Sequence, residues 1–225
     1  MTADPISLAV VLALLALVPL AAVMTTSFLK IAVVLALVRN ALGVQQVPPN
    51  MALYGLALVL SAYVMAPVIN EVSIALRNPA QHFSEPGASS DDSNVKLTGI
   101  LKAVEAGVAP MQAFMLRNSK PEQRDFFMRT AHRLWGPELA SNLKATNLLV
   151  LVPAFLVSEL TTAFQLGFLL YLPFIVIDLI VSNILLAMGM MMVSPVTISM
   201  PLKLFLFVMV DGWTRLIQGL VLSYH

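Results

Sequence analysis

Apolar positions run almost unbroken from Ile6 to Val38, with Lys30 as the one charge among some 33 residues. A helix of roughly 20 residues already crosses a bilayer core, so Pro19 and the polar step Thr25-Thr26-Ser27 predict a kink or break inside this stretch. Arg39 to Asn50 then gathers Arg39, Gly43, Gln45, Gln46, Pro48 and Pro49, all turn or breaker signals, and predicts a hairpin tip. Met51 to Ile69 resumes an apolar run long enough for a return crossing. After Leu148 the chain is again apolar nearly to its end, over Pro153 to Met192 and over Val196 to Leu222, interrupted by Glu159, Asp178, Lys203, Asp211 and Arg215. Hydropathy alone counts about four membrane segments.

Between them the pattern changes. Eight of the thirteen Lys and Arg and seven of the twelve Asp and Glu fall between Asn78 and Asn147, which predicts a region outside the apolar phase. Pro79 to Asn94 is rich in Ser, Asp, Gly and Pro and reads as a loop. From Val95 to Leu143, the residues Leu97, Leu101, Val104, Val108, Met111, Phe114 and Met115 recur mostly at three- and four-residue spacing, as amphipathic helices require. Glu122, Arg124, Asp125, Arg129 and Arg133 read as the solvated face of one such helix. The expected organisation is therefore all-α: an N-terminal apolar hairpin over residues 1–77, a small, mostly helical soluble region over 78–147, and C-terminal apolar helices over 148–225. The region 78–147 exceeds the length over which Lys and Arg bias sets topology, and Arg39 at the short hairpin tip weakly favours the cytoplasm for that tip. The soluble region is then expected on the opposite, periplasmic side.

Composition agrees with this layout: 59% of residues are hydrophobic and only 11% charged, about half the charge of an ordinary soluble domain. A net charge of +1 without a basic or acidic block points to no nucleic acid partner. Cysteine is absent, His82, His132 and His225 lie far apart, and no metal-ligand spacing or phosphate loop is present. No metal, cofactor or catalytic residue is expected. The acidic start Met1-Thr2-Ala3-Asp4-Pro5 lacks the basic region of a signal peptide, so the N-terminal segment is expected to be retained.

The least ordinary stretch is Met188-Gly-Met-Met-Met-Val-Ser-Pro195. Met188, Met190, Met191 and Met192 fill four of five consecutive positions and would point all round a helix instead of forming a core stripe. Flexible, polarizable thioethers beside Gly189, Pro195 and Pro201 suit a soft apolar constriction at a turn. Lipid-facing filler remains the other reading of the same residues.

Isolated charges in apolar helices face protein or a pore by default, which singles out Lys30, Glu159, Asp178, Lys203, Asp211 and Arg215. Ser158, Thr161, Thr162 and Gln165 form a polar stripe with Glu159, which needs a cation. Lys203 is the nearer of the two cations in the C-terminal half, so a Glu159–Lys203 pair is expected, within the chain or between copies. Asp211 and Arg215, four apart with the acid first, have the spacing of a helical ion pair. An acid dyad of Asp178 and Asp211 finds no supporting flanks. A small-solute secondary transporter or ion channel using Lys30, Glu159 and Asp178 is the alternative function, but the two halves show no self-similarity that would favour it.

Several longer motifs occur in one order: Phe28-Leu-Lys-Ile, Arg39-Asn-Ala-Leu-Gly, Gln45-Gln-Val-Pro-Pro-Asn-Met51, Pro153-Ala-Phe-Leu-Val-Ser-Glu-Leu-Thr-Thr-Ala-Phe-Gln-Leu-Gly-Phe168, Leu172-Pro-Phe-Ile-Val-Ile-Asp178, Met188-Gly-Met-Met-Met, Ser194-Pro-Val-Thr-Ile-Ser and Leu206-Phe-Val-Met-Val-Asp-Gly-Trp213. They closely resemble the export-gate family of type III secretion systems, shared by injectisomes and the flagellar export apparatus. The chain's ending and its N-terminus resemble the virulence branch more than the flagellar one. The resemblance implies a multi-pass protein of the bacterial inner membrane, about five copies assembling with two smaller export-apparatus membrane proteins, and secreted polypeptides as cargo. It further implies that Met188, Met190, Met191 and Met192 form a gasket around a closed pore, that Glu159 and Lys203 pair between subunits, and that the hairpins are largely drawn out of the bilayer plane.

Overall fold

In a computed structural model of the protein, the structure describes Leu12, Ala16 and residues 19–44, 47–77, 107–141 and 143–224. The expected loop at 79–94, the pattern at Leu97, Leu101 and Val104, His82, and most of the first apolar stretch before Pro19 lie outside the described residues. Among those described, all regular structure is α-helical, as the patterning predicts. The helices are α1 (Pro19–Thr25), α2 (Phe28–Ala41), α3 (Asn50–Arg77), α4 (107–118), α5 (Pro121–Ala140), α6 (Leu148–Ala187), α7 (Pro195–Met209) and α8 (Gly212–Leu222).

Helices α3 and α6 are long and apolar enough to cross a membrane, and the pairs α1 with α2 and α7 with α8 qualify if each broken pair is one span. At about 1.5 Å per residue the 40 residues of α6 reach roughly 60 Å, twice a bilayer core. Pro153 and Pro173 lie within it. This makes the protein a helical membrane protein.

The described residues form two compact units. One holds those up to Thr26 and those from Met65 to Ser158; the other holds Ser27–Val64 and the chain from Glu159 onward. In the first, the hydroxyls of Thr25 and Thr26 donate back to the carbonyls of Ala21 and Ala22 at 2.8 and 2.7 Å. Such bonding competes with the helical ladder, and the helix breaks where the polar step predicts. Phe114 and Met115 on α4 pack with Phe155, whose ring meets that of Phe114 edge-on at 5.9 Å. Arg124 departs from the solvated face expected of it. Its guanidinium turns back and donates to the carbonyls of Leu116 and Ser119 at 2.9 and 2.6 Å, where a cation satisfies the open C-terminal carbonyls of a helix. The exposed Asp125, Arg129 and Arg133 remain on that face. Helix α5 is interrupted at Gly136, where φ is 77°.

In the second unit, α2 and the first half of α3 form the expected hairpin. Ser27 Oγ donates to Ser61 Oγ at 3.0 Å at one end, and Arg39 bonds Asn50 across the tip at the other, contacts that only an antiparallel pair can make. The α2 stripe of Ile31, Val34, Leu35 and Val38 is buried at helical spacing. Helix α6 approaches closely at Gly167, where even a methyl group would overlap Leu37. Helix α7 starts at Pro195, a residue suited to a first helical position, and α8 leaves it at a 63° bend. At that bend Asp211 takes a left-handed φ of 52°. A side chain at Gly212 would collide with the Phe207 ring, so glycine there lets the bend pass close against the ring.

Candidate functional site

The methionine run occupies the short connection between α6 and α7. Helix α6 closes with the amide of Gly189 bonded to Leu186 O at 3.0 Å and that of Met190 to Leu185 O at 2.9 Å. Together with Gly189 at φ 75°, these form a Schellman cap, which stops a helix and turns the chain away. Met190 to Ser194 bridge to Pro195 without helical structure. The expected location at a turn is therefore found. These side chains are exposed to different degrees: Met190 is partly covered, Met188 more open, Met191 81% exposed and Met192 fully so. Exposed apolar side chains are common on the apolar helices as well, Phe164, Phe168 and Val208 among them, and what sets the methionines apart is their position at a turn.

Among the described residues, two ion pairs lie in the second unit. Lys30 Nζ stands 3.2 Å from Glu159 Oε1, and both side chains are sealed from solvent. Tyr224 completes the group. Its hydroxyl donates to Glu159 Oε2, with Ser27 O as a second acceptor at 3.2 Å, and its ring lies 3.5 Å beneath the Lys30 ammonium. A cation over an aromatic face is attracted by the ring quadrupole, more strongly when water is excluded. Both Glu159 oxygens are thus engaged, the condition for a buried carboxylate to be tolerated.

The second pair joins Lys203 Nζ to Asp178 Oδ2 at 2.6 Å. Ser199 Oγ donates to the other oxygen of Asp178 at 2.6 Å, and Lys203 also reaches Ala41 O at 3.2 Å. Lys203 therefore caps the C-terminus of α2, where a positive charge opposes the helix dipole, while it holds the C-terminal third of α6. Ser199, Lys203 and Phe207 are the buried face of α7 at four-residue spacing. This clamp and Gly43, whose Cβ position would sit 3.9 Å from Val196, fix the start of α7 and hence one end of the methionine turn.

Two expected pairings are corrected within the chain. Glu159 is not joined to Lys203: it takes Lys30, and Lys203 takes Asp178. Elimination among the C-terminal cations left out Lys30, which the hairpin brings to α6 from more than 100 residues away. Asp211 and Arg215 form no ion pair among the described residues, because Asp211 sits in the left-handed bend before α8 and the side-chain register of a continuous helix does not apply. Both are exposed. Tyr224 was the residue the pattern did not single out. Its signal is the stripe Leu216, Leu220, Tyr224, buried at four-residue intervals.

The FliP family is matched over residues 11–220 of the chain. The chain is 53% identical over 221 residues to the Yop proteins translocation protein R of Yersinia pestis, covering 98% of this chain and 97% of that protein. It is 49% identical to the harpin secretion protein HrcR of Erwinia amylovora, over 98% of this chain and 97% of that one. With the virulence protein YscR of Salmonella typhimurium it shares 46% identity at the same coverage. The family match runs through both apolar halves, both ion pairs and the methionine turn, and the chain belongs to the FliP family, alongside the YscR and HrcR type III secretion export proteins of the virulence branch.

Proposed function

We propose that this type III secretion export protein is a subunit of a protein-conducting gate in the bacterial inner membrane, with no enzymatic step of its own. Unfolded polypeptides pass through the gate, and Met188, Met190, Met191 and Met192 of several copies, about five, close it. Two smaller membrane proteins of the export apparatus complete the assembly, and the region 78–147 faces the periplasm. The observation that carries the reading is the methionine turn: four apolar side chains held out of the chain by a capped helix and a glycine turn. Thioethers can seal against ions when packed together and re-pack around a passing chain without selecting its side chains.

A Glu159–Lys203 bridge between copies belongs to the same reading. It requires each residue to exchange its partner on assembly, and the half-exposed Asp178 makes the Lys203 pair the easier of the two to open. The gate is tested by replacing Met190, Met191 and Met192 with Ala in the assembled complex in planar bilayers. The expected outcome is an intact complex that leaks ions in its closed state; unchanged conductance would sink the gasket.

A further inference from the structure

The second unit holds a cavity of about 240 Å³, whose walls include Val38, Leu170, Phe174, Phe207 and Val210. It is smaller than the roughly 300–1,000 Å³ of ordinary small-molecule pockets, and its lining is apolar but for Arg215. No hydrogen bond or ion pair engages the Arg215 guanidinium among the described residues, and Asp211, one turn away, leaves it alone. Arg215 is exposed, so an open cation stands at the rim of an apolar slot. Trp213 stacks edge-on against Phe207 at 5.3 Å, next to the same wall. Tryptophan and arginine together are the pairing found where a membrane helix meets lipid headgroups. The 63° bend at Asp211 turns α8 away from α7 at this level, and the outer side of α7 presents Phe205, Val208 and Met209.

We propose that this cavity is a binding site for an anionic phospholipid, with one acyl chain in the slot and the phosphate on Arg215. The slot admits a narrow hydrocarbon and offers no hydrogen-bond partner to a polar solute. The guanidinium supplies a forked donor matched to phosphate oxygens. The complementarity is thus twofold, apolar to chain and cation to anion, and the site uses only the membrane character of the protein, independently of the gate.

The test uses the full chain carrying Trp135→Phe, which leaves Trp213 as the reporter, in vesicles containing phosphatidylglycerol or phosphatidylcholine brominated on the acyl chains. Trp213 fluorescence is expected to be quenched by both lipids, with about a fivefold preference for phosphatidylglycerol, the factor equivalent to ~1 kcal/mol for one cation at an anionic leaflet. Arg215→Gln should abolish the preference, and Val210→Phe, which fills the slot from its rim and keeps Arg215, should cut the quenching by phosphatidylglycerol. Circular dichroism confirms that each variant is folded. Equal quenching by the two lipids in the parent, or a preference that survives Arg215→Gln, overturns the site. Absence of quenching by either lipid while the protein assembles with its copies would mean that protein fills the cavity, which overturns the proposal and leaves the gate reading standing.

Discussion

The two ion pairs of the second unit differ in how completely they are closed. Lys30 and Glu159 are sealed on every side, with the aromatic ring and hydroxyl of Tyr224 taking the places water would occupy. In the other, Lys203 is as buried as Lys30, but the Asp178 side chain remains 36% exposed. A sealed pair is strongly destabilised by losing one member, because the charge left behind has no solvent to turn to. A half-open one leaves the survivor a route to other partners. The difference separates a tighter joint between α2 and α6 from a looser clamp on α7, and of the two the clamp lies nearer the methionine turn in sequence.

That contrast can be broken most directly at Glu159. Replacing it with Ala should lower stability by about 3–5 kcal/mol, read as the thermal unfolding midpoint of the full chain in detergent; a loss no greater than that of Asp178→Ala would erase the distinction. Charge reversal then tells the joint from an intersubunit bridge. Glu159→Lys combined with Lys30→Glu should recover the folded chain, whereas combination with Lys203→Glu should restore assembly on native gels only if the pair forms between copies. Tyr224→Phe keeps the ring under Lys30 but strips a donor from a buried carboxylate, for an expected loss of roughly 1.5–3 kcal/mol. Asp178→Ala should cost about 1–2 kcal/mol, more than the ~0–1 of an exposed pair because Lys203 keeps only the Ala41 carbonyl. Smallest in stability is the Ala replacement of Met190, Met191 and Met192, expected within about 0.5 kcal/mol as for exposed sites. Its effect belongs in the conductance of the assembly, so a large drop in melting temperature would show that the turn is structural.

The hairpin tip at Arg39 to Asn50, the break at Thr25 to Ser27 and the turn at Gly189 were legible because glycine, proline and back-bonding threonines act within a few residues of themselves. The buried partners of Glu159 and Lys203 were not. Lys30 reaches Glu159 across 129 positions of chain, and Ala41 accepts from Lys203 across 162. Counting charges along the nearest stretch therefore missed the cation that Glu159 meets within the chain. Asp211 and Arg215 failed for the opposite reason: a local spacing rule was sound, but the helix it presumed bends at that residue.

By itself the sequence determined that this is an all-helical membrane protein with an inserted polar region, that its intramembrane charges need partners, and that four methionines gather at a turn. Those properties follow from local chemistry: transfer of apolar segments out of water, the backbone freedom of glycine and the missing amide of proline. Only the tertiary structure decided which charge meets which, that Tyr224 closes the Lys30–Glu159 pair, and that Arg215 stands open beside an apolar slot. An ion pair is settled by where the packing of the α2 stripe and the close approach at Gly167 bring two helices together, and separation along the chain carries no information about that distance.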